Sequence, residues 1–173
     1  MVTTKYKIAK FFSYGVVATL LCVLQNTPGL FAIYGTKPML VVSFAICVAI
    51  FERETAGGLF AVFAGLLCDL FSSYSFGYYA LLLFFCCVAV GLLTQGFMRP
   101  VAVNAMLFTL VTMVFIQWVG FFFTILIWVE EGAAEYFFGR LLPFCIYTAV
   151  MAFPLYYLAR VMHLYFEAKI EAA

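Results

Sequence analysis

Apolar residues run in long blocks along this chain, and the polar positions collect between them. The breaks fall at Gln25–Gly29, Tyr34–Pro38, Glu52–Gly58, Ser72–Gly77, Met98–Pro100 and Glu130–Arg140. They leave six apolar segments, 8–25, 38–51, 57–71, 77–97, 101–129 and 141–160. A backbone in hydrocarbon must satisfy its hydrogen bonds within the segment, so each is predicted to be a helix. About 20 residues cross a bilayer. The second and third segments hold only about 14 and 15 residues by these bounds, or roughly 21–23 Å of helix. They are expected either to continue through their flanks or to lie hidden among longer helices. The fifth is long enough to tilt or protrude. The tail from Tyr157 to Ala173 is expected to continue the last helix.

Charges in the breaks set an orientation. With six spans and the N-terminus inside, Lys5, Lys7, Lys10, Arg53, Arg99, Arg160 and Lys169 fall inside, and only Lys37 and Arg140 outside. This bias matches the positive-inside rule and predicts both termini in the cytoplasm. A hairpin of segments two and three that fails to cross leaves every later loop on the same side. Tyr34, Tyr74, Tyr78, Tyr79, Trp128 and Tyr136 near one boundary, and Tyr6, Tyr156, Tyr157 and Tyr165 near the other, fit aromatic belts.

Composition fits this reading: 68% of the 173 residues are hydrophobic and only 10% charged, against about 25% charged in average soluble domains. A formal net charge of +1 implies no nucleic-acid partner. The basic start followed by an apolar run mimics a signal peptide, but no small-residue cleavage site follows, so the run is expected to remain as the first span. The six cysteines, Cys22, Cys47, Cys68, Cys86, Cys87 and Cys145, all sit in apolar runs without a CxxC pair, and His163 is the single histidine. They are expected to act as small hydrophobes, with no metal and no other cofactor. No phosphate-binding loop, HExxH or GxSxG motif is present, and no paired acids share a helix face. No internal repeat suggests a two-fold transporter.

One acid stands inside an apolar segment. At 100° per residue, Gly58, Ala61, Gly65 and Asp69 share a stripe about 80° wide, opposite Leu59, Phe60, Phe63, Leu66, Leu67 and Leu70, a side suited to lipid or to broader packing. Small residues admit a close neighbouring helix. A carboxylate facing lipid would cost about 2.5–3.5 kcal/mol, so Asp69 is placed against protein. Ser72, Ser73, Ser75 and the backbone N–H groups of the turn Ser72–Gly77 are expected to reach back to it, the acid holding a tight turn. Pairing with a partner's base and a proton relay are the other roles weighed. Asn104 and Gln117 are read as interhelical hydrogen-bonding groups. Glu130, Glu131 and Glu135 make an acidic outer loop, close enough in sequence for a metal but read as solvated.

Lys37-Pro38 opens the second segment. Gly65-Leu66-Leu67-Cys68-Asp69-Leu70 ends the third, and Phe76-Gly77-Tyr78-Tyr79-Ala80-Leu81 opens the fourth after Ser72-Ser73. This pattern resembles the MreD family of bacterial rod-shape-determining inner-membrane proteins. The resemblance implies a non-enzymatic subunit of the cell-elongation machinery. It implies partnership with MreC, a single-pass periplasmic scaffold, and through it with the actin-like MreB and with the glycan polymerase RodA and its transpeptidase. It also implies an all-α membrane bundle of six transmembrane helices, similar to the S component of energy-coupling-factor transporters. A vitamin-binding S component is the alternative function, with a polar pocket expected near the outer face around Asn104 and Gln117. An enzyme acting on a lipid-linked substrate is a third possibility.

Overall fold

The computed structural model describes residues 2–27, 37–52, 54–72, 75–96, 100–128 and 142–171. They form six helices: α1 (Val2–Asn26), α2 (Leu40–Phe51), α3 (Glu54–Asp69), α4 (Tyr78–Gly96), α5 (Ala102–Trp128) and α6 (Leu142–Glu171). Each covers one of the apolar segments. Four of them, α1, α4, α5 and α6, are long and apolar enough to cross a membrane. At 1.5 Å per residue, α6 is about 45 Å long and α2 only about 18 Å. Pro154 lies inside α6, which continues past it to Glu171 without a break.

The short α2 is the axis of the bundle. It packs against all five other helices, which close around it in the order α1, α3, α4, α5, α6 and back to α1. Every residue from Leu40 to Ile50 is buried. A helix enclosed on all sides is apolar all round, and α2 carries only Ser43 as a polar side chain. Its length follows from its place, because a rod ringed by longer helices need not reach either membrane surface itself.

A helix end inside an apolar bundle needs partners for its free backbone groups. At the start of α2, the Val41 N–H donates to Gln25 Oε1 of α1 at 3.2 Å, and the Met39 N–H to Thr148 Oγ1 of α6 at 3.3 Å. The Ser43 hydroxyl donates to the Thr148 carbonyl at 3.0 Å. The flanking helices therefore cap the central one from both sides. Tyr14, Phe44 and Phe60 of α1, α2 and α3 stack edge-on and tilted at about 6 Å where these helices meet.

Helix ends meet in a regular alternation. The end of α1 meets the start of α2 and the start of α6, while the start of α1 meets the end of α2 and the late turns of α6. The two ends of the described chain thus lie at the same pole of the bundle.

Candidate functional site

The stripe on α3 is buried against α4. Gly58, Ala61, Gly65 and Asp69 are all buried, while Leu59, Phe63 and Leu70 are exposed; Phe60, on the other side of the helix, is buried against Tyr14 and Phe44. A Cβ at Gly65 would stand 2.3 Å from the Ala80 Cα and 2.6 Å from its nitrogen, so only glycine admits the first turn of α4. A Cβ at Gly58 would meet side chains instead, Val88 Cγ2 at 2.7 Å and Phe84 at 3.1 Å. The small residues are therefore used up in the α3–α4 contact.

One helical turn beyond Gly65, the Asp69 carboxylate receives the start of α4. Oδ1 accepts the Tyr79 N–H at 2.9 Å, and Oδ2 accepts those of Gly77 and Ala80 at 3.1 and 3.2 Å. An anion at a helix N-terminus satisfies free donors and faces the positive end of the helix dipole. Gly77 has φ +94°, a conformation L side chains rarely adopt, and this bends the chain into α4. Ser72 donates its own N–H to the Asp69 carbonyl at 3.2 Å, and the Ser75 carbonyl accepts the Tyr78 N–H at 3.1 Å. The Gly77 N–H belongs to the turn expected to hold the acid, while the Tyr79 and Ala80 donors lie beyond it, in the first turn of α4. Ser73 lies outside the described residues.

A second polar group sits at the opposite pole. Lys10 is only 2% exposed. Its Nζ bridges Glu52 Oε1 at 2.7 Å and Glu167 Oε1 at 2.8 Å. The same Glu52 oxygen accepts the Tyr14 hydroxyl at 3.1 Å and faces His163 Nδ1 at 3.1 Å. Next to a carboxylate oxygen, Nδ1 serves as the donor, which places the imidazole proton there. The ring stacks on Phe51 with centroids 5.4 Å apart. Burial pushes the Glu52 carboxyl up, but hydrogen bonds from His163 and Lys10, with the charge of Lys10, outweigh it and hold the group below its ordinary value. This clamp ties α1, the α2–α3 corner and α6 together around a polar cavity of about 410 Å³.

The two groups are built for holding. Both Asp69 carboxylate oxygens and the shared Glu52 oxygen already accept hydrogen bonds. Among the described residues, no three His, Cys, Asp or Glu side chains gather into a metal-binding group. The six cysteines are all free thiols, and Cys86 alone is not fully buried. Gln117 is buried on α5, with no hydrogen-bond partner for its Oε1 among the described residues. Gln117 and Asn104 are not joined to the clamp cavity. Glu130, Glu131 and Glu135 lie outside the described residues.

Sequence reading missed the clamp. Lys10 counted only as an inside charge, Glu52 only as part of a break, and His163 only as a lone histidine. One signal was available: all of them, with Glu167, fall at the same side in the loop-charge topology, at the margins of apolar segments. No family model, curated protein or solved structure matches the chain.

Proposed function

We propose that this protein is a non-enzymatic scaffold of the MreD type in the bacterial inner membrane, a subunit of the cell-elongation machinery with six spans and both termini cytoplasmic. In this reading it docks a single-pass, MreC-like partner. Through that partner it helps organise MreB, RodA and the associated transpeptidase in peptidoglycan synthesis. The S-component-like arrangement of its helices belongs to the same proposal.

The observation that carries the reading is the convergence of the resemblance's own residues. Gly65, Asp69, Gly77 and Ala80 are joined in one contact, where a glycine admits a helix start and an acid caps it. A motif spent on holding two helices in register suits a rigid docking platform better than a reaction centre.

Co-expression with an MreC-like single-pass protein and co-purification in mild detergent test the proposal. Recovery of a stable complex is the expected result. Failure to recover any such protein from folded material, or tight binding of one water-soluble vitamin in a thermal-shift screen, would overturn it.

A further inference from the structure

The seam between α1 and α3 changes character along its length. On α1, Lys7, Phe11, Gly15 and Thr19 follow one another at four-residue spacing, and on α3 Thr55, Leu59 and Phe63 do the same. Residues four apart line one helix face. At the Lys7 and Thr55 end the seam opens into the polar cavity of the clamp. From Phe11 onward it becomes an apolar groove of about 620 Å³, lined on both sides by exposed side chains such as Phe12, Leu20, Leu59 and Phe63. Phe11 borders both spaces, so they are neighbours along the seam. Gly15 opens the groove: a Cβ there would meet the Phe63 ring at 3.7 Å, an ordinary contact.

From Lys7 to Thr19 the seam runs about 18 Å, close to half of a hydrocarbon core about 30 Å thick. It therefore has a polar mouth at one bilayer surface and an apolar trough one leaflet deep. The mouth carries both signs of charge. Lys7 is exposed and makes no ion pair with the described residues, whereas Lys10 is held by Glu52 and Glu167. The Glu167 side chain is 42% exposed and is tied to Lys10 through one oxygen. Lys7, Lys10 and His163 line the mouth with Glu52 and Glu167, so both signs of charge stand side by side there. An anionic headgroup would meet the two carboxylates, while a zwitterion meets both signs favourably.

We infer that this seam is a binding site for a phospholipid with a phosphate and a primary ammonium, a phosphatidylethanolamine of the leaflet at the Lys10 pole. Its phosphate faces Lys7, its ammonium faces Glu167, and one acyl chain lies in the trough past Gly15. The inference is independent of the partner proposed above, because it concerns lipid retained by the chain alone.

Native mass spectrometry of the full chain, released from nanodiscs of equimolar phosphatidylethanolamine, phosphatidylglycerol and phosphatidylcholine, reads the site directly. Retention of phosphatidylethanolamine at least 5-fold above the other two is expected. Phosphatidylcholine reproduces the phosphate but cannot donate a hydrogen bond to Glu167. Lys7→Gln changes an exposed, unpaired side chain, and should reduce that retention several-fold without changing the melting temperature of the lipid-free protein. Gly15→Leu should do the same by filling the trough. Equal or greater retention of phosphatidylglycerol would overturn the inference, as would retention indifferent to both substitutions. Loss of partner capture in Gly15→Leu with lipid retention unchanged would assign the trough to a protein helix instead.

Discussion

Asp69 and Glu52 are both carboxylates near helix ends, but they are satisfied by different chemistry. Asp69 takes three backbone N–H groups from the start of α4. Asp69→Ala strands those donors in an apolar setting, and should destabilise the bundle by about 2–4 kcal/mol, read as a lower melting temperature in detergent with membrane insertion intact. Asp69→Asn keeps an acceptor and should lose less. Gly65 and Gly58 separate by what an added methyl meets. Gly65→Ala drives a Cβ into the Ala80 backbone and should cost about 3 kcal/mol. Gly58→Ala meets the tips of Val88 and Phe84, which can turn aside, and should cost about 1 kcal/mol. A Gly58 variant as damaging as the Gly65 variant would contradict the backbone contact. The reach of Asp69 was legible because its donors lie within 11 residues of it along the chain. The Tyr79 and Ala80 donors were not, since they lie past the turn, in a helix start whose position only packing fixes.

At the scale of elements, the Lys10 clamp joins segments remote in sequence, with Lys10 and Glu167 separated by 157 residues. Lys10→Met leaves Glu52, with a side chain only 11% exposed, facing Glu167 without its cation. A loss of about 3–5 kcal/mol is expected, and the double variant Lys10→Met/Glu52→Leu should recover most of it. Acid should loosen the same junction. The Glu52 carboxyl is held below its ordinary value near 4.5 in the folded chain. Its stabilisation is then complete above the unfolded value and is lost as pH falls from there through the folded value. The melting temperature should drop on acidification below about pH 4.5, and Glu52→Gln should flatten that limb. A steeper limb in Glu52→Gln would reverse the sign assigned to this group. No local pattern announces such a clamp, because each of its charges, taken alone, reads as an ordinary end-of-helix residue.

For the whole molecule, α2 sets the cost of change. Ile46 is fully buried at the axis, and Ile46→Ala should cost about 2–5 kcal/mol. Leu107 faces outward on α5, and Leu107→Ala should change unfolding little. The meeting of Lys10 with Glu167 puts both ends of the described chain at one pole. Reporter tags at the two termini should therefore read from the same side of the membrane. Tags inserted at Lys37 and at Arg53 separate the two arrangements for α2 and α3. Opposite sides are expected if both helices cross, and the same side if they form an inner hairpin.

The amino-acid pattern alone determined where the helices lie and that the chain suits a membrane, because backbone hydrogen bonding and hydropathy are properties of contiguous residues; of the six segments it marked as spans, four form helices long enough to cross. It also placed Gly65 and Asp69 on one face, since that follows from helical spacing. Tertiary structure alone decided that α2 is the axis and that Lys10 finds Glu52, Tyr14 finds the same oxygen, and Glu167 closes the clamp. Lipid tails and a protein interior are equally apolar. An all-apolar helix therefore reads the same whether it faces lipid or five neighbours, and only side-chain packing tells them apart.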